Sequence, residues 1–238
     1  MVDQAPEERP PSVCGRPGNR HGVRLYGVFH DSVAAYSVHE LPARFDENAL
    51  EAARAGLHET GLLLFGEQHG QPQTPRAVYT LMRRLSLRGL ALEWEADLRP
   101  LVDGFLSEGL DATDALSEDG RVTAGHFAVL AKLRDEERLE RLILMDETAR
   151  DWTGHWSERD AGMARTLLRD RDPSVPTLVV AGGFHTTIGD EAEPTLAALL
   201  DRDVRGVPSG AFAYTESGVH EGRFERDEAG RLVFVLPS

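Results

Sequence analysis

The sequence has one cysteine among 238 residues, Cys14, so an internal disulfide is excluded and a reducing cytoplasm is the expected compartment. It has no run approaching the ~20 apolar residues that a membrane helix requires, which argues against membrane insertion. Residues 1–20 lack the apolar stretch of a signal peptide and contain Pro-Glu-Glu-Arg-Pro-Pro instead, so they read as a disordered tail. Basic residues are also scarce: 26 Lys and Arg stand against 40 Asp and Glu, giving a formal net charge of -14. A surface field of that sign repels nucleic acid and anionic membrane and leaves a small neutral or cationic molecule as the expected partner. There is no Gly-x-Ser-x-Gly elbow and no reactive cysteine context, so water rather than a side chain is the expected nucleophile of any hydrolysis. Nothing in the pattern sets an oligomeric state.

What is present is 41% hydrophobic residues, arranged in short apolar runs that alternate with amphipathic segments. Gly61 to Phe65, Leu90 to Leu92, Arg141 to Met145 and Pro176 to Ala181 read as buried strands. Asn48 to Glu59, the segment from Pro75 to Arg88, Ser157 to Arg169 and Glu193 to Leu200 read as helices. Val23 to Leu41 alternates apolar and polar residues around His30-Asp31-Ser32 and reads as an edge hairpin. Val204 to Val207, Ala211 to Thr215 and Arg231 to Leu236 read as later strands, with Ala229-Gly230 in a turn. The alternation predicts one α/β domain over 21–238. It has a mainly parallel central sheet flanked by helices, antiparallel edge strands or hairpins, and a helical insertion or cap around 97–140.

The four buried runs end in chemistry. Glu67 and His69 follow the first, Glu93 and Glu95 the second, Asp146 and Glu147 the third, and Gly-Gly-Phe-His, ending at His185, the fourth. Ligands of open parallel sheets bind at the carboxyl ends of the strands, so these chain-distant residues are expected to share one cleft. A histidine can take a proton from water while a carboxylate orients its ring, and His69 with Glu67 or Glu93 suits that role. His185, behind two glycines, can protonate a leaving group or hold an oxyanion. The same residue types also suit a divalent metal held by His69, His185 and Glu93 with an open position for water.

The strings LLLFGEQHG, RGLALEWEA, LILMDE, ERDAGMARTL and VVAGGFH occur in that order over about Gly61 to Gly189. In these pieces the chain resembles the superfamily that joins erythromycin esterase-like enzymes with ChaN-like proteins, and more distantly the TraB/Tiki group. The resemblance implies active-site roles for Glu67, His69, Glu93 and His185, with Arg76, Asp146 and Arg159 as further candidates. It implies hydrolysis or related acid-base chemistry, such as elimination or cyclisation, on a small organic substrate. The ChaN-like side implies haem or metal binding without turnover as an alternative, and the Tiki-like side a metal-dependent peptidase. The chain departs from the esterases in the spacing of Glu67 and His69, two apart rather than three, and in Thr186, Thr187 and Ile188 after His185, where those enzymes carry a further histidine. A macrolide substrate is therefore not implied.

Against these readings stand plainer ones. Arg76 and Arg159 can be solvated helix charges or ion-pair partners of Glu67 and Glu93, and Glu147 competes with Asp146. Trp152 and His155 are candidates for lining a substrate pocket, although aromatic residues near a helix start commonly serve packing. His21, His30, His39, His58, His126 and His220 have no motif around them and are expected at the surface. Since His69 and Glu93 end strands, replacing either with alanine is expected to spare the fold.

Overall fold

The computed structural model describes residues 22–147, 154–187, 193–214, 218 and 220–237, with side chains from residue 28 on. Its centre is set by the strands whose burial is complete. β2 (Leu62–Glu67) and β5 (Thr177–Gly182) are buried at every position, as β-rich runs covered on both faces must be. β3 (Gly89–Glu95) and β4 (Arg141–Asp146) continue the pattern, each with one exposed end. With β1 (Ala43–Phe45), β6 (Ser209–Tyr214), β7 (Gly222–Arg226) and β8 (Leu232–Leu236) they form one sheet of eight strands in the order β1-β7-β8-β6-β2-β5-β3-β4. The six strands from β8 to β4 run parallel; β7 opposes β8, and β1 follows β7. The domain is thus α/β with a mostly parallel sheet and two antiparallel strands at one edge.

Side chains alternate between two apolar layers. Leu63, Phe65, Leu90, Leu92 and Val180 point to one face, under α2 (Glu47–Thr60), α3 (Thr74–Arg84), α4 (Arg99–Glu108) and α5 (Ala124–Asp135). Leu62, Leu64, Ala91, Ile143 and Val179 point to the other, under α6 (Trp156–Asp170) and α8 (Leu196–Asp203). Helix ends follow their local sequence: the Asp46 side chain accepts from the Ala49 amide at 2.9 Å, and Gly61, at φ 71°, closes α2 in a left-handed conformation that alanine would resist. Thr195 caps α8 in the same way as Asp46 caps α2. The turn between β7 and β8 places Gly230 at φ 79°, with the Asp227 carboxylate accepting from the Ala229 and Arg231 amides.

The segment 97–140 is the crossover between β3 and β4. Val102, Phe105, Phe127, Leu130 and Leu133 of its two helices belong to the main apolar cluster, and the connecting loop 109–123 reaches over the carboxyl ends of the strands. The tail 1–20 lies outside the described residues.

Two expectations are corrected. Val23 to Leu41 is no hairpin: Gly22–Ala35 is a helix, α1, followed by extended chain. Short apolar runs satisfy both a period of two and a period of 3.6, and here the docking surface decided. Phe29, 2% exposed, is set edge-on to Phe105 and Phe127 at 5.8 and 5.3 Å, with Val33 one turn later against the same core. Val204 to Val207 is not a strand but the exit from α8, the strand beginning at Ser209. The edge strands β1 and β7 were not legible, being short and rich in arginine.

The docking of α1 depends on Phe29. Phe29→Ala is expected to destabilise the fold by about 3 kcal/mol through the transfer and cavity terms. An unchanged denaturation midpoint would show that α1 does not dock there.

Candidate active site

In the sheet order, β5 lies between β2 and β3, and β4 flanks β3. The four strand ends that carry the sequence motifs are therefore side by side. The two glycine motifs also touch. A Cβ on Gly66 would lie 2.2 Å from Thr186 Oγ1 and 3.0 Å from Gly183 Cα, so only glycine lets the short α7 (Gly183–Thr186) settle on β2. That contact seats His185 beside the first motif.

Glu93 occupies a register irregularity between Leu92 and Glu95, where β3 pairs with β4. Such bulges re-aim side chains. Glu93 is 1% exposed, and both its oxygens are engaged: Oε1 accepts from Arg159 Nη2 at 2.6 Å, and Oε2 from the Gly182 amide at 2.6 Å. Arg159, on the first turns of α6, also donates to Asp146 Oδ2 through Nε at 2.9 Å. One guanidinium thus bridges the ends of β3 and β4. Burial, which by itself would raise the Glu93 carboxyl, is outweighed by His185, Arg159 and the Gly182 amide, and its pKa falls to about 2.

His185 is buried, with Nδ1 2.5 Å from Asp160 Oδ1 and Nε2 3.5 Å from Glu93 Oε1. Burial alone would lower its pKa, but the hydrogen bonds and charges of Asp160 and Glu93 prevail and raise it to about 9. At neutral pH this ring is an imidazolium. His69 is different: its Nδ1 lies 3.0 Å from Glu67 Oε1, and a quarter of its side chain is exposed. The hydrogen bond to Glu67 raises its pKa above the ordinary 6.5, against a smaller effect of burial. With Nδ1–H donated to Glu67, Nε2 is the basic nitrogen, and the tautomer follows from that bond. A Cβ on Gly182 would stand 3.2 Å from His69 Nε2, 3.4 Å from Glu93 Oε2 and 3.5 Å from His185 Cδ2. The missing side chain of Gly182 leaves the floor on which these three groups converge.

Of the residues singled out in the sequence, Glu67, His69, Glu93, Asp146, Arg159 and His185 are brought together. Glu147 is not: it is exposed and pairs with Arg169 at 2.7 Å on the outer groove along β4. Arg76 faces away from the carboxylates, its Nη1 3.3 Å from His39 Nε2 and its charge acting on Tyr36. His155 is exposed at the N-cap position of α6, and Trp152 lies outside the described residues. His126 is not at the surface. It is 6% exposed, forms a capping box with Thr123 and abuts Trp94, and burial lowers its pKa.

Two partners were missed. Asp160 precedes Met163 and Leu167 at helical spacing on the buried face of α6, and a charge on an apolar stripe was its available signal. Arg121, from the loop before α5, brings Nη1 to 3.5 Å from Glu93 Oε1 with no motif to announce it.

A metal held by His69, His185 and Glu93 fits these side chains poorly. Among the described residues no group of three or more His, Cys, Asp or Glu is arranged to hold a metal ion. Both oxygens of Glu93 are bound to protein donors, and a metal or a haem iron would first have to displace a proton from His185.

Burial also corrects the expectation that Glu93→Ala spares the fold. Removing Glu93 would leave Arg159 half-compensated in the interior, at a cost of about 3 kcal/mol. The pH dependence carries a sign that can be checked. His185 has a folded pKa of about 9, above the ordinary 6.5, so its contribution is whole below pH 6.5 and is lost as pH rises through about 9. Unfolding free energy is expected to fall by on the order of 2 kcal/mol across that window, and Asp160→Asn to flatten the fall. The same slope in both proteins would refute the assignment.

No family model matches this chain, and no curated protein sequence does either. Solved structures do match. One described as bacterial protein toxins aligns with a TM-score of 0.52 at 15% identity, over 90% of this chain and 41% of that one. A mutant of the erythromycin esterase EreC in its open conformation aligns with a TM-score of 0.51 at 11% identity, over 80% of this chain and 79% of that one. This chain thus spans about two fifths of the first and four fifths of the second. At such identities the shared property is the fold, and the chain has the fold of an erythromycin esterase.

Proposed function

We propose that this protein is an enzyme that hydrolyses a small, uncharged acyl substrate with an activated water. The observation that carries the reading is the pair of histidines converging over Gly182 in different surroundings, His185 held between the buried Asp160 and Glu93 and His69 partly exposed with Glu67 as its one hydrogen-bonded carboxylate. His69, oriented by Glu67 through Nδ1, takes a proton from water at Nε2. His185, kept protonated by Asp160 and Glu93, gives a proton to the leaving group. Arg159 and Asp146 hold Glu93 in place, so they position the acid without touching the reacting atoms. The shared fold with an erythromycin esterase is consistent with this chemistry, while the spacing of Glu67 and His69 and the residues after His185 favour a substrate other than a macrolide.

The net charge of -14 disfavours nucleic acid and anionic surfaces as partners. Among the described residues no helix is long and apolar enough to cross a membrane. The single cysteine suits a reducing cytoplasm.

A panel of small esters, lactones and amides tests the reading. The protein is expected to turn over at least one class with incorporation of ¹⁸O from labelled water into the acid product. His69→Ala should reduce kcat/KM by roughly 10²–10⁴-fold, the usual loss when a general base is removed. The kcat/KM profile should rise through a pKa above 6.5 and fall through about 9. Product without ¹⁸O would point to elimination or cyclisation by the same proton transfers, and full activity in His69→Ala would end the proposal.

A further inference from the structure

We propose that Arg121 is a catalytic residue that holds the oxyanion formed when water adds to the substrate, an inference that rests on the hydrolytic reading above. Arg121 comes from the crossover loop rather than a strand end, and the loop is held from several sides. The Trp94 indole donates to the Arg121 carbonyl at 3.1 Å, and the Asp119 carboxylate accepts from the Arg121 amide at 3.0 Å. Gly120 and Gly70 meet so closely that a Cβ on Gly120 would lie 2.5 Å from Gly70 Cα. That clasp ties the loop carrying Arg121 to the loop carrying His69. The guanidinium is therefore preorganised.

Its hydrogen-bonding capacity is largely unused. Nη2 donates to Asp119 Oδ2 at 2.9 Å, but Nη1 stands 3.5 Å from Glu93 Oε1 and 4.0 Å from Asp146 Oδ2, and Nε is buried with no hydrogen-bond partner. Those Nη1 separations let charges attract but exceed a good N–H···O bond. Arg159, by contrast, is committed to Glu93 and Asp146 at 2.6 to 2.9 Å. Arg121 also lines a cavity of about 450 Å³ together with Trp94, Leu98 and Leu116 and the acids Glu95, Asp114, Glu118 and Asp119. Its charge acts on His69, whose pKa it lowers against the pull of Glu67.

Charge balance decides what Arg121 receives. The acids Glu67, Glu93, Asp146 and Asp160 outnumber the cations Arg159, His185 and Arg121, so a substrate that arrives as an anion is not favoured. A neutral acyl group is. Water oxygen bonds to the acyl carbon and its proton passes to His69 Nε2; the carbonyl electron pair moves to oxygen, which becomes the oxyanion. One new cation and one new anion appear together, and Arg121 donates to the anion. Collapse re-forms the carbonyl, the bond to the leaving group breaks, and that group departs with the proton of His185. Solvent then takes the proton from His69 and restores the one on His185.

The test uses phenylboronic acid, which mimics the tetrahedral intermediate when it takes up hydroxide, together with the best ester of the panel. The wild-type protein should hold the boronate as a tetrahedral species visible by ¹¹B NMR. Arg121→Gln should lose roughly 10²–10³-fold in kcat with KM within a few-fold, the scale seen when an oxyanion donor is removed, and lose boronate affinity in parallel. Arg121→Lys, which keeps the charge but not the fork, should fall between, and it serves if the glutamine variant does not fold. The proposal is overturned if Arg121→Gln keeps kcat and boronate affinity, if it changes KM alone, or if the wild-type protein does not bind the boronate as a tetrahedral species. Arg121-dependent boronate binding without hydrolysis of any panel member would defeat the hydrolytic reading and leave the oxyanion site standing. Hydrolysis that ignores Arg121 would do the reverse.

Discussion

The site depends on one guanidinium. Arg159, 7% exposed, binds Glu93 at the end of β3 and Asp146 at the end of β4, so two carboxylates are paired where water scarcely reaches. Buried ions are costly unless paired and fully hydrogen-bonded, and such a pairing contributes more to defining one arrangement than to net stability. Here the arrangement also sets the charge beside His185. With Arg159 holding Oε1 and the Gly182 amide holding Oε2, Glu93 has a fixed orientation, and its charge keeps His185 protonated. The adjacent Asp160 completes the imidazolium's environment from the same helix turn.

The two histidines acquire their difference from surroundings rather than from their motifs. His185 sits between two buried carboxylates and is protonated at neutral pH, whereas His69 is half-buried, has one hydrogen-bonded carboxylate partner and feels the opposing charge of Arg121. Placing groups of one kind in environments that separate their pKa values is how a fold assigns acid and base roles. Small residues make the approach possible. Gly66 admits Thr186 against β2, and Gly182 leaves open the floor between the rings.

The loop that carries Arg121 belongs to the crossover from β3 to β4, whose helices are anchored in the main core by Phe105 and Phe127. A rigid base with an overhanging loop is a common way to add binding groups to strand-end residues without altering the sheet. The aromatic pair Trp156 and Phe184, ring centroids 5.7 Å apart, rims the same site beside His185.

The sequence by itself determined the central strands, most of the helices, and the carboxyl-end positions of Glu67, His69, Glu93, Asp146 and His185. Apolar runs ended by polar residues are local patterns, and burial on both faces writes them into composition. It could not determine that β5 inserts between β2 and β3, because strand order is set by long-range pairing that leaves no local trace. For the same reason Arg121 was invisible as a site residue, Asp160 showed only as a charge on an apolar stripe, and Arg76 looked equivalent to Arg159 though it turns toward His39. The first part of the Val23 to Leu41 segment is a helix because its neighbours offer Phe29 a place against Phe105 and Phe127, a choice its own periodicity left open. Only the tertiary structure decided how strongly each histidine's pKa is raised, since that depends on which carboxylates surround it and how deeply they are buried together.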